Sequence, residues 1–142
     1  MNKNNLVLLL PRIVIAFILL QTLYFKFGIG GEEAMQESKE IFGMIAFEAF
    51  GDASYEPYMR IGTGILELVA SILLLLNATA YLGAILGAGL MGGAILSHLL
   101  FIGIEVRGDN GQLFIIAVIV LLASIKVLFD EREKLLKILG KE

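Results

Sequence analysis

Apolar residues fall in four long runs separated by short polar breaks: Leu6–Phe27, Tyr58–Ala78, Ala80–Ile104 and Gln112–Phe129. Each is long enough, as a helix, to cross a hydrocarbon layer about 30 Å thick. No stretch alternates apolar and polar residues as a strand would. The pattern therefore predicts an all-α, four-helix transmembrane bundle of up-down topology, forming one membrane domain. One further apolar stretch, Ile41–Phe50, is too short to span. It reads as a short interfacial or re-entrant helix in the first outer loop. The chain closes with a charged tail, 130–142, in which Leu135, Leu136, Ile138 and Leu139 recur at helical spacing.

Within the spans, the polar and small residues are not scattered. Along the second, Arg60, Thr63, Gly64, Glu67, Ala70, Ser71 and Asn77 share one side, and nearly everything else is Ile, Leu or Val. In lipid, such a stripe faces protein and the apolar remainder faces acyl chains. The first span carries Arg12, Ala16, Leu19 and Lys26 on one broad face, with Arg12 near enough to its start to snorkel to the headgroups. The third carries Ala80, Ala84, Gly87, Met91, Ala94 and His98 on one side. Its Gly83/Gly87 and Gly89/Gly93 pairs are spaced for close helix approach.

Composition agrees with this class. Apolar residues make up 58% of the 142, and the mean hydropathy is +0.85. The net charge of −3 matters less than its distribution. Lys3 and Arg12 lie near the start; Lys126, Arg132, Lys134, Lys137 and Lys141 lie at the far end. The segment 28–57 is acidic, with Lys39 its only base. The positive-inside rule then places both termini in the cytoplasm and the acidic loop outside. That is the expected topology of a bacterial inner-membrane protein. The chain has no cysteine, which excludes thiol, disulfide and Cys-ligated metal chemistry. One histidine, His98, makes a metal site an unpromising expectation. Nothing in the sequence suggests nucleic acid.

The candidate chemistry lies in the outer half of the bundle. Lys26 and Arg60 sit at the outer ends of the first two spans, and Glu67 lies about 10 Å deeper than Arg60 at 1.5 Å per residue. His98 lies at comparable depth in the third span, about 9 Å below Ile104. A carboxylate inside hydrocarbon costs about 2.5–3.5 kcal/mol or more, so Glu67 needs a cation or a proton. His98 is the first expected partner and Lys26 the second. Each group also has a plain structural reading: Lys26 and Arg60 as interfacial anchors, and Glu67 with its partner as a pair that fixes helix register.

Arg12 and Lys26 bracketing the first helix, the Lys26-Phe27-Gly28 turn, the run Gly64–Leu68 (GILEL) and the glycine-rich Leu73–Ala94 resemble the DoxX-like family of small four-helix membrane proteins. The resemblance extends over roughly Leu6 to Phe129. It implies a link to membrane oxidoreductase assemblies, such as a small subunit of a thiosulfate:quinone oxidoreductase or partners in thiol-stress complexes. It carries over to Arg12, Lys26, Gly64 and Glu67, and more loosely to His98. The helical arrangement is also similar to that of vitamin K epoxide reductase-like proteins, but this chain lacks their Cys-x-x-Cys. Two expectations follow. In the first, the chain is an accessory or subunit of a membrane redox assembly. A quinone- or lipid-binding pocket lined by Phe42, Phe47, Met91 and Phe101 would use Lys26, Arg60, Glu67 and His98, with electrons from a redox partner protein. In the second, it is a non-enzymatic scaffold, assembly factor or lipid-binding module. Homo-oligomerisation is open in both.

Overall fold

The structure, a computed structural model, describes residues 3–138 and 140. Leu139 and Lys141, which the sequence places in the tail, lie outside the described residues. Among those described, every regular element is helical. Six α-helices follow in order: α1 (Lys3–Lys26), α2 (Glu32–Phe50), α3 (Glu56–Leu75), α4 (Ala80–Ser97), α5 (Gln112–Asp130) and α6 (Arg132–Ile138). Among the described residues, four segments are long and apolar enough to cross a membrane: Leu6–Lys26, Ala53–Leu75, Ala80–Ile102 and Gln112–Asp130. Many of their apolar side chains face outward, with Phe17 67%, Ile72 52% and Leu122 61% exposed. Water would not tolerate such a surface, whereas acyl chains match it. The chain is an integral membrane protein.

The four spanning helices touch in a closed ring: α1 packs on α3, α3 on α4, α4 on α5 and α5 on α1. Ile15, Leu19, Leu74 and Val120 are completely buried where they meet. Lipid is as apolar as leucine, so burial from water does not hold these helices together. Close packing and polar contacts must. Close packing is visible at Gly83, where an added Cβ would lie 2.6 Å from the Leu74 amide nitrogen and 2.8 Å from the Ala70 carbonyl oxygen. Gly87 makes room for the Ser124 hydroxyl of α5. Gly89 and Gly93 behave otherwise: nothing lies within 4 Å of where their Cβ would be. The expected contact at that second pair is not made within the chain.

The helix in the first loop differs from expectation in length. It starts at Glu32, not Ile41, and runs 19 residues. Gly28, Gly30 and Gly31 turn the chain after α1, with Gly28 and Gly31 at positive φ. Glu32 and Glu33 then occupy the first turn, where carboxylates favour the helix dipole. Strong helix formers follow, so the acidic half is helical too. Gly51 ends α2 in the left-handed conformation. Here α2 lies against α1, α3 and the turn that follows α4. There, regular α-helix gives way to a π-helical turn, His98–Ile102, before Gly103.

Candidate functional site

Glu67 is 3% exposed, and its carboxylate meets α1. The Lys26 ammonium lies 2.6 Å from each carboxylate oxygen. The Thr22 hydroxyl, one turn earlier on α1, is 2.6 Å from Oε2. That hydroxyl has one proton, so donating to Glu67 forgoes its alternative acceptor, the Leu19 carbonyl at 2.7 Å. Gly64, one turn before Glu67, makes this meeting feasible. A Cβ there would lie 2.8 Å from the Phe27 ring and 3.6 Å from Lys26 Cδ. On the other side, the Phe42 ring of α2 has its centroid 5.6 Å from the ammonium, close enough for a cation–π contact. The Lys26 charge is thus enclosed by α1, α2 and α3.

Arg60 serves the same corner. It donates to Glu56 one turn back on α3 and to the Lys26 backbone carbonyl at the C-terminus of α1. A cation there complements the negative end of the α1 dipole and satisfies an otherwise orphaned carbonyl. Deeper, Ser71 bonds the Glu67 carbonyl at 2.8 Å and approaches the Ala16 carbonyl at 3.4 Å.

His98 is not part of this cluster. Its Nδ1 donates to the Gly103 carbonyl, 2.7 Å away across the π-helical turn, which fixes the proton on Nδ1 because a carbonyl can only accept. Its ring packs edge-on against Phe114 of α5, with centroids 5.6 Å apart. The expected Glu67–His98 pair is therefore replaced by Glu67–Lys26. Beyond His98, Asp109 organises the loop to α5, accepting from the backbone N–H groups of Val106, Gly111 and Leu113. Partial burial pushes its carboxyl upward, but these three bonds and nearby His98 outweigh that and hold it below the usual range. Arg107, at positive φ, pairs with Glu40 of α2. That pair is about half exposed, so it contributes little.

A second ionic cluster closes the opposite end, and the sequence reading missed it. Arg12 is 5% exposed, so it does not snorkel. It pairs with Glu131, just past α5, and donates to the Asn77 side chain at 3.1 Å. Lys134 binds the same Glu131 at 2.6 Å and the Asn77 carbonyl at 2.8 Å. A signal was present. Ala117, Val120, Ser124, Val127 and Glu131 recur at three- and four-residue spacing and are all buried. Glu131 continues the inward stripe of α5.

Of the four candidate residues, the structure brings together Lys26, Arg60 and Glu67 and leaves His98 apart. Of the lining expected for a pocket, Phe42 stands beside the Lys26 ammonium. Met91 belongs to the packed core, while Phe47 is 58% exposed. An open hollow on α2 is lined by Glu32, Glu33, Met35, Gln36 and Lys39, none of them a candidate residue. The carboxylate oxygens of Glu67 are both engaged, and its charge is balanced by Lys26. Chemically, the cluster is a neutralised pair with a hydroxyl beside it. No protein-family model, curated protein or solved structure matches the chain.

Proposed function

We propose that this protein is a non-enzymatic accessory subunit or assembly scaffold in a bacterial inner membrane. Its fold is read as an up-down four-helix bundle with both termini cytoplasmic and α2 lying at the outer interface. The resemblance to DoxX-like proteins suggests a membrane redox assembly as the setting. The observation that carries the reading is that each candidate group already has a partner within the chain. Lys26 holds Glu67, Arg60 holds Glu56 and the end of α1, and His98 holds Gly103. Groups so engaged act as polar contacts between helices and as caps. The test is gentle extraction of the tagged chain from its native membrane, followed by mass spectrometry of bound proteins and lipids. A stoichiometric protein partner, with no retained quinone, is the expected result.

A second reading rests on the aromatic enclosure of Lys26. Phe42 belongs to α2, which is not among the four segments long and apolar enough to span, so displacing α2 would expose the ammonium and Glu67 beside an aromatic ring. That opening would seat a quinone head, with Lys26 steadying a developing anion and Glu67 handling a proton. Stoichiometric quinone in the purified protein, lost on Glu67→Gln, would establish this reading and remove the first.

A further inference from the structure

The end of α5 and the start of α6 sort their charges by depth. Asp130 and Glu131 turn inward, with side chains 14% and 8% exposed. Lys126 and Lys134 face out, at 50% and 47%. Arg132 is also exposed, against one exposed acid, Glu133. The buried acids are already answered: Asp130 by Lys126, and Glu131 by Arg12 and Lys134. The outer layer is therefore positive, although the segment as a whole is nearly balanced.

The cations flank one aromatic ring. Phe129, 64% exposed, stands in the last turn of the spanning helix, one turn after Lys126. Arg132 folds back over it, its guanidinium carbon 4.7 Å from the ring centroid and one N–H on the Phe129 carbonyl at 3.1 Å. The remaining guanidinium N–H groups have no acceptor among the described residues. Lys126 likewise uses two bonds on Asp130 and keeps a third donor. Leu122 and Ile125 continue the same exposed face toward the membrane centre, at 61% and 50%.

We propose that this end of the molecule binds an anionic phospholipid. The acyl chain lies along Leu122, Ile125 and Phe129, and the phosphate sits between Lys126 and Arg132. A lipid fits better than a soluble phosphorylated partner, because the cations are continuous with an apolar face that only acyl chains would cover. The guanidinium is pinned at the boundary between chains and headgroups, where a phosphodiester lies. This goes beyond the scaffold reading and does not depend on it.

The experiment is native mass spectrometry of the full chain in detergent, with equimolar phosphatidylglycerol and phosphatidylcholine of identical chains. Wild type should retain phosphatidylglycerol at least about fivefold better, from the uncompensated Arg132 with Lys126, partly answered by Asp130, beside it. The double variant Lys126→Gln/Arg132→Gln should retain both lipids alike. The charge-preserving Lys126→Arg/Arg132→Lys should keep the preference. Equal retention by wild type would overturn the proposal. So would a preference that survives the glutamine variant, or one lost in the charge-preserving variant.

Discussion

Glu67 has its cation one hydrogen bond away and its second donor beside it, on a neighbouring helix. Removing one member of such a pair strands a buried charge, at about 3–5 kcal/mol. Lys26→Met and Glu67→Leu should therefore each lower the unfolding midpoint in micelles sharply. The double replacement should recover most of the loss, since apolar side chains of similar volume suit the same space. A double variant as unstable as the singles would mean that the ionised pair itself is required. Asp109 offers a pH test outside the spans. Its carboxyl lies below the ordinary 3.8 in the folded protein, so the stability it lends is present above that value and lost as pH falls through the folded one. Protection of the Val106, Gly111 and Leu113 amides, taken relative to their unstructured exchange rates at the same pH, should fall below about pH 3.8 in wild type. Asp109→Ala should show low protection at every pH. Amides equally protected on both sides would disconnect the loop from the carboxylate. The sequence revealed Glu67 because a mid-span carboxylate stands out from its surroundings. It did not reveal the partner. Depth favoured His98 over Lys26, wrongly, because the π-helical turn that gives His98 a carbonyl has no periodic signature.

Among the helices, α4 shows how one composition serves two purposes. Gly83 meets the α3 backbone, which cannot move aside as a side chain could. Gly83→Ala should cost about 1–3 kcal/mol or more through forced separation of α3 and α4. Gly89→Ala and Gly93→Ala meet open space and gain helix propensity, up to about 1 kcal/mol each. Thermal unfolding of the three variants should rank Gly83→Ala well below wild type and the other two at or above it. A loss at Gly89 or Gly93 would mean that something outside the chain occupies that face. The spacing rule selected both glycine pairs, because spacing alone does not say which side of α4 faces α3. The boundaries of α2 were hidden for a related reason. Apolar periodicity detects only the half that packs, and the acidic half is helical through its N-terminal carboxylates and propensity.

For the whole molecule, the inward stripes of α3 and α4 were legible, since Arg60, Gly64 and Glu67, like Ala80, Ala84, Met91 and His98, are all buried as their spacing implies, whereas Arg12, read as reaching the headgroups, is buried too. The closure of the far end was not, because Arg12 and Glu131 are separated by nearly the whole chain and no local pattern couples them. What remains to be tested at this scale is orientation. The excess of Lys and Arg at the two chain ends argues that α6 and the start of α1 share the cytoplasmic side, and that α2 lies outside. With no native cysteine, single probes can be placed without background. Ser38 is a poor site, since it is 6% exposed, whereas neighbouring Lys39 is exposed. On intact cells, an impermeant maleimide should label Lys39→Cys and not Glu133→Cys, and permeabilisation should add the second. Labelling of Glu133→Cys alone on intact cells would invert the molecule. The Lys26–Glu67 pair would then face the cytoplasm, against the Lys and Arg excess at the chain ends.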